Sequence, residues 1–215
     1  PRKPVRAPSN RVKAVALDQP GGQERRKQPQ PIALPWLAPP QDELGEPVPA
    51  RLFLVRTERL VIAITELLVY STGFDFHAAV RMPAADRQEL ADRSPKPGRF
   101  DPDEPPPDDV LQFSVAFADG RQGRSLSTPF NSKLALEWRE LAREGRTPDG
   151  VVVFHRRGWG TGGDAGYWVW PLPAPGMITF ACEWPLAGVP LTTRQLDAGP
   201  VLQAAGRVES LWRSQ

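Results

Sequence analysis

Apolar and polar positions alternate most regularly over Val110–Gly120, "VLQFSVAFADG". Leu111, Phe113, Val115 and Phe117 fall on one face, Gln112 and Ser114 on the other. A period of two is the mark of a half-buried strand. Asp119-Gly120 then predicts a hairpin turn, with Arg121–Ser127 as the returning strand. Gly73–Met82 repeats the pattern: Phe74, Phe76, Ala78 and Val80 oppose Asp75, His77 and Arg81. Two apolar runs precede it, Arg51–Val55 and the β-branched stretch Leu60–Tyr70, with Ser71-Thr72-Gly73 as a turn. Together they predict a β-meander. Val151–His155, Tyr167–Pro173 and Pro175–Pro185 supply three more strands.

A helical period occurs in fewer places. Asn131–Gly145 predicts about three turns, with Asn131 as cap, Leu134, Trp138 and Leu141 as the buried stripe, and Gly145 as the stop. Asp197–Trp212 predicts a C-terminal helix capped by Asp197, with Val201, Ala205, Val208 and Trp212 in one stripe. A shorter helix fits Pro83–Arg93, with Pro83 near its start. Strands do not alternate with helices, which argues against a parallel doubly wound sheet. The fold expected is mainly β: an antiparallel sandwich, or a partly open barrel, of about eight strands with one or two helices, including the C-terminal one.

Composition divides the chain. Its 26 prolines are about twice ordinary usage, and they recur through residues 1–50, where they obstruct both helix and sheet. A Pro-rich basic tail is expected there and a single domain over 51–215, interrupted by an acidic Pro-rich loop at 94–109. Within the tail, Ile32, Leu34, Trp36 and Leu37 form an apolar island able to strap onto a surface, its own or a partner's. No run of 18 apolar residues occurs, so no membrane span is expected. The basic, Pro-rich start lacks the apolar core of a signal peptide, and Cys182 is the lone cysteine. Both point to a reducing, cytoplasmic setting.

Charge is unevenly spread. Arg2, Lys3, Arg6, Arg11, Lys13, Arg25, Arg26 and Lys27 stand against two acids in residues 1–30, a net +6 in a chain of net +2. Such a tail can make salt-dependent phosphate contacts, so a nucleic-acid-associated role is one alternative.

Candidate chemistry centres on "HRRGWGTGGD", His155–Asp164. Gly158, Gly160 and Gly163 spell G-x-G-x-x-G after an apolar run. A dinucleotide cradle needs a helix to begin inside the loop, so that free N–H groups face the pyrophosphate. Pro171, Pro173 and Pro175 and the aromatic run before them predict a strand instead, and Glu183 at the ribose-acid spacing then means little. No Gly-Lys-Ser/Thr follows, which excludes a Walker loop. Cys182 shares an apolar face with Ile178, Phe180 and Trp184 and is expected in the core. Two histidines and one cysteine supply metals poorly, so neither metal nor cofactor is expected. His155, at the mouth of the loop, leaves a hydrolase with an unrecognised site as a further alternative. Trp168 and Trp170 share one face, either a platform or a core surface under the C-terminal helix.

"GFDFHAAVRM", "LQFSVAFADGR", "YWVWPLPAPGMITFACEWPLAGVPLT" and the ending "ESLW" resemble a group of uncharacterised actinobacterial proteins over roughly residues 50–215. The resemblance implies no activity and no catalytic residues. It implies a glycine loop of variable length, as a turn allows and a phosphate cradle does not. The expected function is non-enzymatic: a module binding another protein through Trp159, Arg156 and Arg157 at the loop end, with the basic N-terminal tail, Trp36 included, as a second contact.

Overall fold

The structure is a computed structural model that describes residues 34–93, 111–125, 133–157 and 163–212. Its backbone is mainly β and built of antiparallel sheets that do not close into a barrel. Five strands form the larger sheet: β2 (Glu46–Arg56), β3 (Val61–Val69), β4 (Phe74–Arg81), β7 (Val152–Arg157) and β8 (Asp164–Trp170), ordered β2-β3-β4-β8-β7. The smaller sheet has β5 (Gln112–Ala116), β6 (Gln122–Arg124), β9 (Met177–Trp184) and β10 (Val189–Asp197), ordered β10-β9-β5-β6. A two-stranded ribbon joins β1 (Glu43–Leu44) to β11 (Glu209–Ser210).

The alternation read from the sequence is what packs the two sheets. Phe74, Phe76, Ala78 and Val80 of β4 are buried, as are Phe113, Val115 and Phe117 beside and within β5. Their rings meet between the sheets, Phe76 with Phe113 at 5.6 Å and Phe74 with Phe180 at 6.4 Å, both edge to face. That geometry sets the positive ring edge against the negative face. Cys182 lies in the same core, and burial pushes its thiol up to about 12.

On one side the sheets are stitched. The Val151 amide donates to the Gln122 carbonyl at 3.2 Å, and Ser125 bridges Val153 in parallel register. Gly123 permits this approach, because a Cβ there would lie 1.8 Å from the Val151 carbonyl oxygen.

Three helices accompany the described strands: α1 (Ala84–Arg93), α2 (Lys133–Glu144) and α3 (Gly199–Ala205). The C-terminal helix is present but shorter than its stripe predicts. It ends at Gly206, a weak helix former, and the chain then pairs with β1. Val201 and Ala204 are its buried residues, and Trp212 is 72% exposed. Periodicity overran the helix because Val208 and Trp212 fell in phase by chance.

Two further expectations change. The boundary at residue 50 moves back: β2 begins at Glu46, and the compact unit begins at Ala33. Pro47 and Pro49 do not break β2 because it is an edge strand, where a missing N–H costs no ladder bond on the open side. β10 was missed because it is an edge strand with little apolar content, mostly solvent-facing. The acidic loop at 94–109 and the cap Asn131 lie outside the described residues.

Candidate functional site

The outer face of the five-stranded sheet has two halves of different chemistry. One half is aromatic and roofed. Leu34–Leu37 make a turn, closed by the Leu37 amide donating to the Leu34 carbonyl at 3.0 Å. This seats Trp36 against Trp138 of α2, ring centroids 6.0 Å apart and edge to face. Trp138 in turn tilts against Phe154 of β7 at 6.2 Å. Trp168 is fully buried beside Tyr70, and its indole N–H donates to the Pro35 carbonyl at 3.1 Å. The Trp168–Trp170 face is therefore a core surface. It is covered by the 34–37 turn and α2, not by the C-terminal helix. Trp36, expected as a partner contact, is fully buried here. An indole in the tail found more apolar area on its own sheet than water could offer, so the correction follows from burial.

The other half carries a row of ion pairs. Asp75 and His77 alternate on the outer face of β4, followed by Arg81 at its end. Arg156 reaches Asp75 Oδ2 with Nη1 at 2.7 Å. His77 Nδ1 lies 2.8 Å from Glu66 Oε1 of β3, its cross-strand neighbour. Arg81 Nη1 meets Asp164 Oδ1 at 2.5 Å, and this hydrogen bond holds the Asp164 carboxyl below the usual range. The three pairs differ in depth. Asp75 retains 5% of its side-chain surface and Arg156 35%, whereas Arg81 and Asp164 keep 57% and 67%. Only the first is held strongly by its surroundings, since exposed pairs are weakened by water and salt. Gly166, between His77 and Arg157 in register, puts no side chain in the row.

The row ends where β7 stops at Arg157 and β8 begins at Asp164, so the glycine-rich connection leaves from this polar end. A strand, not a helix, follows Gly163, and the dinucleotide reading lacks its anion-binding helix terminus. Glu183 accepts from Arg124 at 2.8 Å. His155 turns the opposite way from Arg156, onto Tyr167 at 5.1 Å on the core side. Trp159 lies outside the described residues, as do Arg2, Lys3, Arg6, Arg11, Lys13, Arg25, Arg26 and Lys27. Arg157 is the last residue of β7.

Of the expected contact residues, the structure thus brings Arg156 to the polar end and sequesters Trp36. Sequence reasoning missed Glu66, Asp75, Arg81 and Asp164 as its companions. Asp75 and Arg81 were visible as the polar side of an alternating strand. Their partners lie on other strands, 81 and 83 positions away in the two arginine pairs, and no local pattern links them. Among the described residues, no group of three or more His, Cys, Asp or Glu is placed to hold a metal ion, and no helix is long and apolar enough to cross a membrane.

The fold and face together define a two-sheet antiparallel β-protein with a helical roof over half of one outer face and charged pairs on the rest. No family model matches the chain, and neither a curated protein nor a solved structure matches it.

Proposed function

We propose that the protein is a non-enzymatic binding module whose partner is another protein, held at the polar end of the five-stranded sheet. The observation that carries this reading is the anchoring of Arg156 by the buried Asp75 at the base of the glycine-rich connection. A guanidinium fixed from beneath loses little rotamer freedom on binding, and Arg is favoured where charged groups meet at interfaces. Glu66, Arg81 and Asp164 add charges of both signs beside it, which suits a partner of matching pattern and sets register more than raw affinity. Trp159, in the connection that follows Arg157, supplies an indole of the type that dominates binding energies.

The test is affinity capture from the protein's own cells. Wild type should retain a partner that is lost with Trp159→Ala and with the paired reversal Glu66→Arg, Asp164→Arg, while circular dichroism stays unchanged. Capture indifferent to all of these changes would sink the proposal.

A further inference from the structure

At the end of the sandwich where β2 turns into β3, a cleft of about 620 Å³ opens between that turn, α1 and the 3-10 turn Pro185–Ala187. Its size falls within the range of small-molecule sites. The floor is apolar: Leu54, Leu60, Met82, Leu90, Leu186 and Val189 line it, and Leu54, Leu90 and Val189 are buried.

The rim is charged and unevenly satisfied. Arg59 donates Nε–H to Asp86 Oδ2 at 2.8 Å and an Nη2–H to Oδ1. Both Asp86 oxygens are thereby engaged. A guanidinium has five N–H donors, so three on Arg59 are not used by this contact, and its side chain is 73% exposed. On the same rim Arg93 sits 3.8 Å from Glu89, the limit of an ion pair, and is 56% exposed. The lining has two cations and two anions, so a polyanion gains little. The surplus is in donors, and donors in a planar fork fit one carboxylate.

We infer that this cleft binds a small monocarboxylate with an apolar stem, such as a medium-chain fatty acid. The carboxylate takes the outer edge of Arg59, which Asp86 holds in place, and the stem lies on Leu60, Met82, Leu90 and Leu186. This inference does not rest on the partner proposed above. Its residues are separate from the ion-pair row, so either can fail alone.

Calorimetric titration of the full chain with sodium decanoate, below the concentration at which it forms micelles, tests it. Saturable one-to-one binding is expected. Arg59→Gln should weaken it about tenfold or more, the loss expected of a charge-assisted hydrogen bond. Arg59→Lys should recover part of that, and Ala187→Phe should block binding by filling the cleft. Decan-1-ol should bind at least about tenfold more weakly than decanoate. The inference is overturned by absence of saturable heat, by equal affinity for the alcohol, or by indifference to Arg59→Gln. Because Arg59 is exposed, its variants should fold, and circular dichroism checks that.

Discussion

The indole N–H of Trp168 donates to the carbonyl of Pro35 at 3.1 Å, joining residues 133 positions apart. The bond fixes the 34–37 turn on the outer face of β8 and lets Trp36 seat beside it. Trp36→Ala should therefore act as a core truncation and cost about 3–5 kcal/mol. Trp168→Phe keeps most of the ring but drops the donor, and should cost less, since a hydrogen bond contributes about 1 kcal/mol net. Urea unfolding of the two variants checks the order.

Asp75 and Arg156 make the deepest of the three ion pairs on the sheet's outer face. Arg156→Met removes an ion-pair partner of a buried carboxylate and should destabilise by about 1–3 kcal/mol, below the range for a fully buried pair because the guanidinium keeps some water. Asp164→Asn breaks an exposed pair and should cost less than about 1 kcal/mol. Equal effects in denaturant titrations would show that depth is not what separates them.

Gly123 sits where the two sheets touch. An alanine Cβ would fall 1.8 Å from the Val151 carbonyl oxygen and 2.7 Å from its carbon. Because both are backbone atoms, the β6–β7 seam must open. Gly123→Ala should lower stability by at least about 1–3 kcal/mol, the cost of forcing atoms into filled space. Gly120→Ala meets nothing within 4 Å, but its φ of +90° strains any side chain there. Hydrogen exchange should show the Val151 amide, which donates to Gln122, losing protection in Gly123→Ala and keeping it in Gly120→Ala.

Cys182 is buried and its thiol is pushed from an ordinary 9.0 to about 12 by desolvation. Between those values the unfolded chain gives up the proton while the folded one keeps it, so the unfolded state binds fewer protons. Stability should then be full below about pH 9 and fall as pH rises toward 12. Tyr167, also raised by burial, works in the same direction. Cys182→Ala should flatten part of that decline. Iodoacetamide at neutral pH should label Cys182 only after unfolding, and labelling at the native rate of a free thiol would contradict its burial.

The inner faces of the sandwich could be read in advance because alternation is local: a strand's own sequence records which side is apolar. Phe74, Phe76, Phe113 and Val115 all lie where a period of two puts them. The outer face could not be read so. The sequence left open whether Trp36 straps onto its own surface or a partner's, because its receiving surface, Trp168 with Trp138 and Phe154, comes from three distant segments. Trp212 looked buried because it kept a helical phase, while Gly206 ended the helix before it.

What the sequence determined by itself was the strand-rich class, the core faces and the absence of a helix after the glycine loop. Each depends on neighbours within a few residues, where backbone geometry fixes which side chains share a side. Tertiary structure alone decided that residues 34–50 belong to the folded body, that Asp75 meets Arg156, and that an apolar cleft with Arg59 on its rim opens at one end. Those outcomes depend on which surfaces meet after the chain folds back. Burial and ion pairing select their partners by position in space, and a linear pattern does not carry that information.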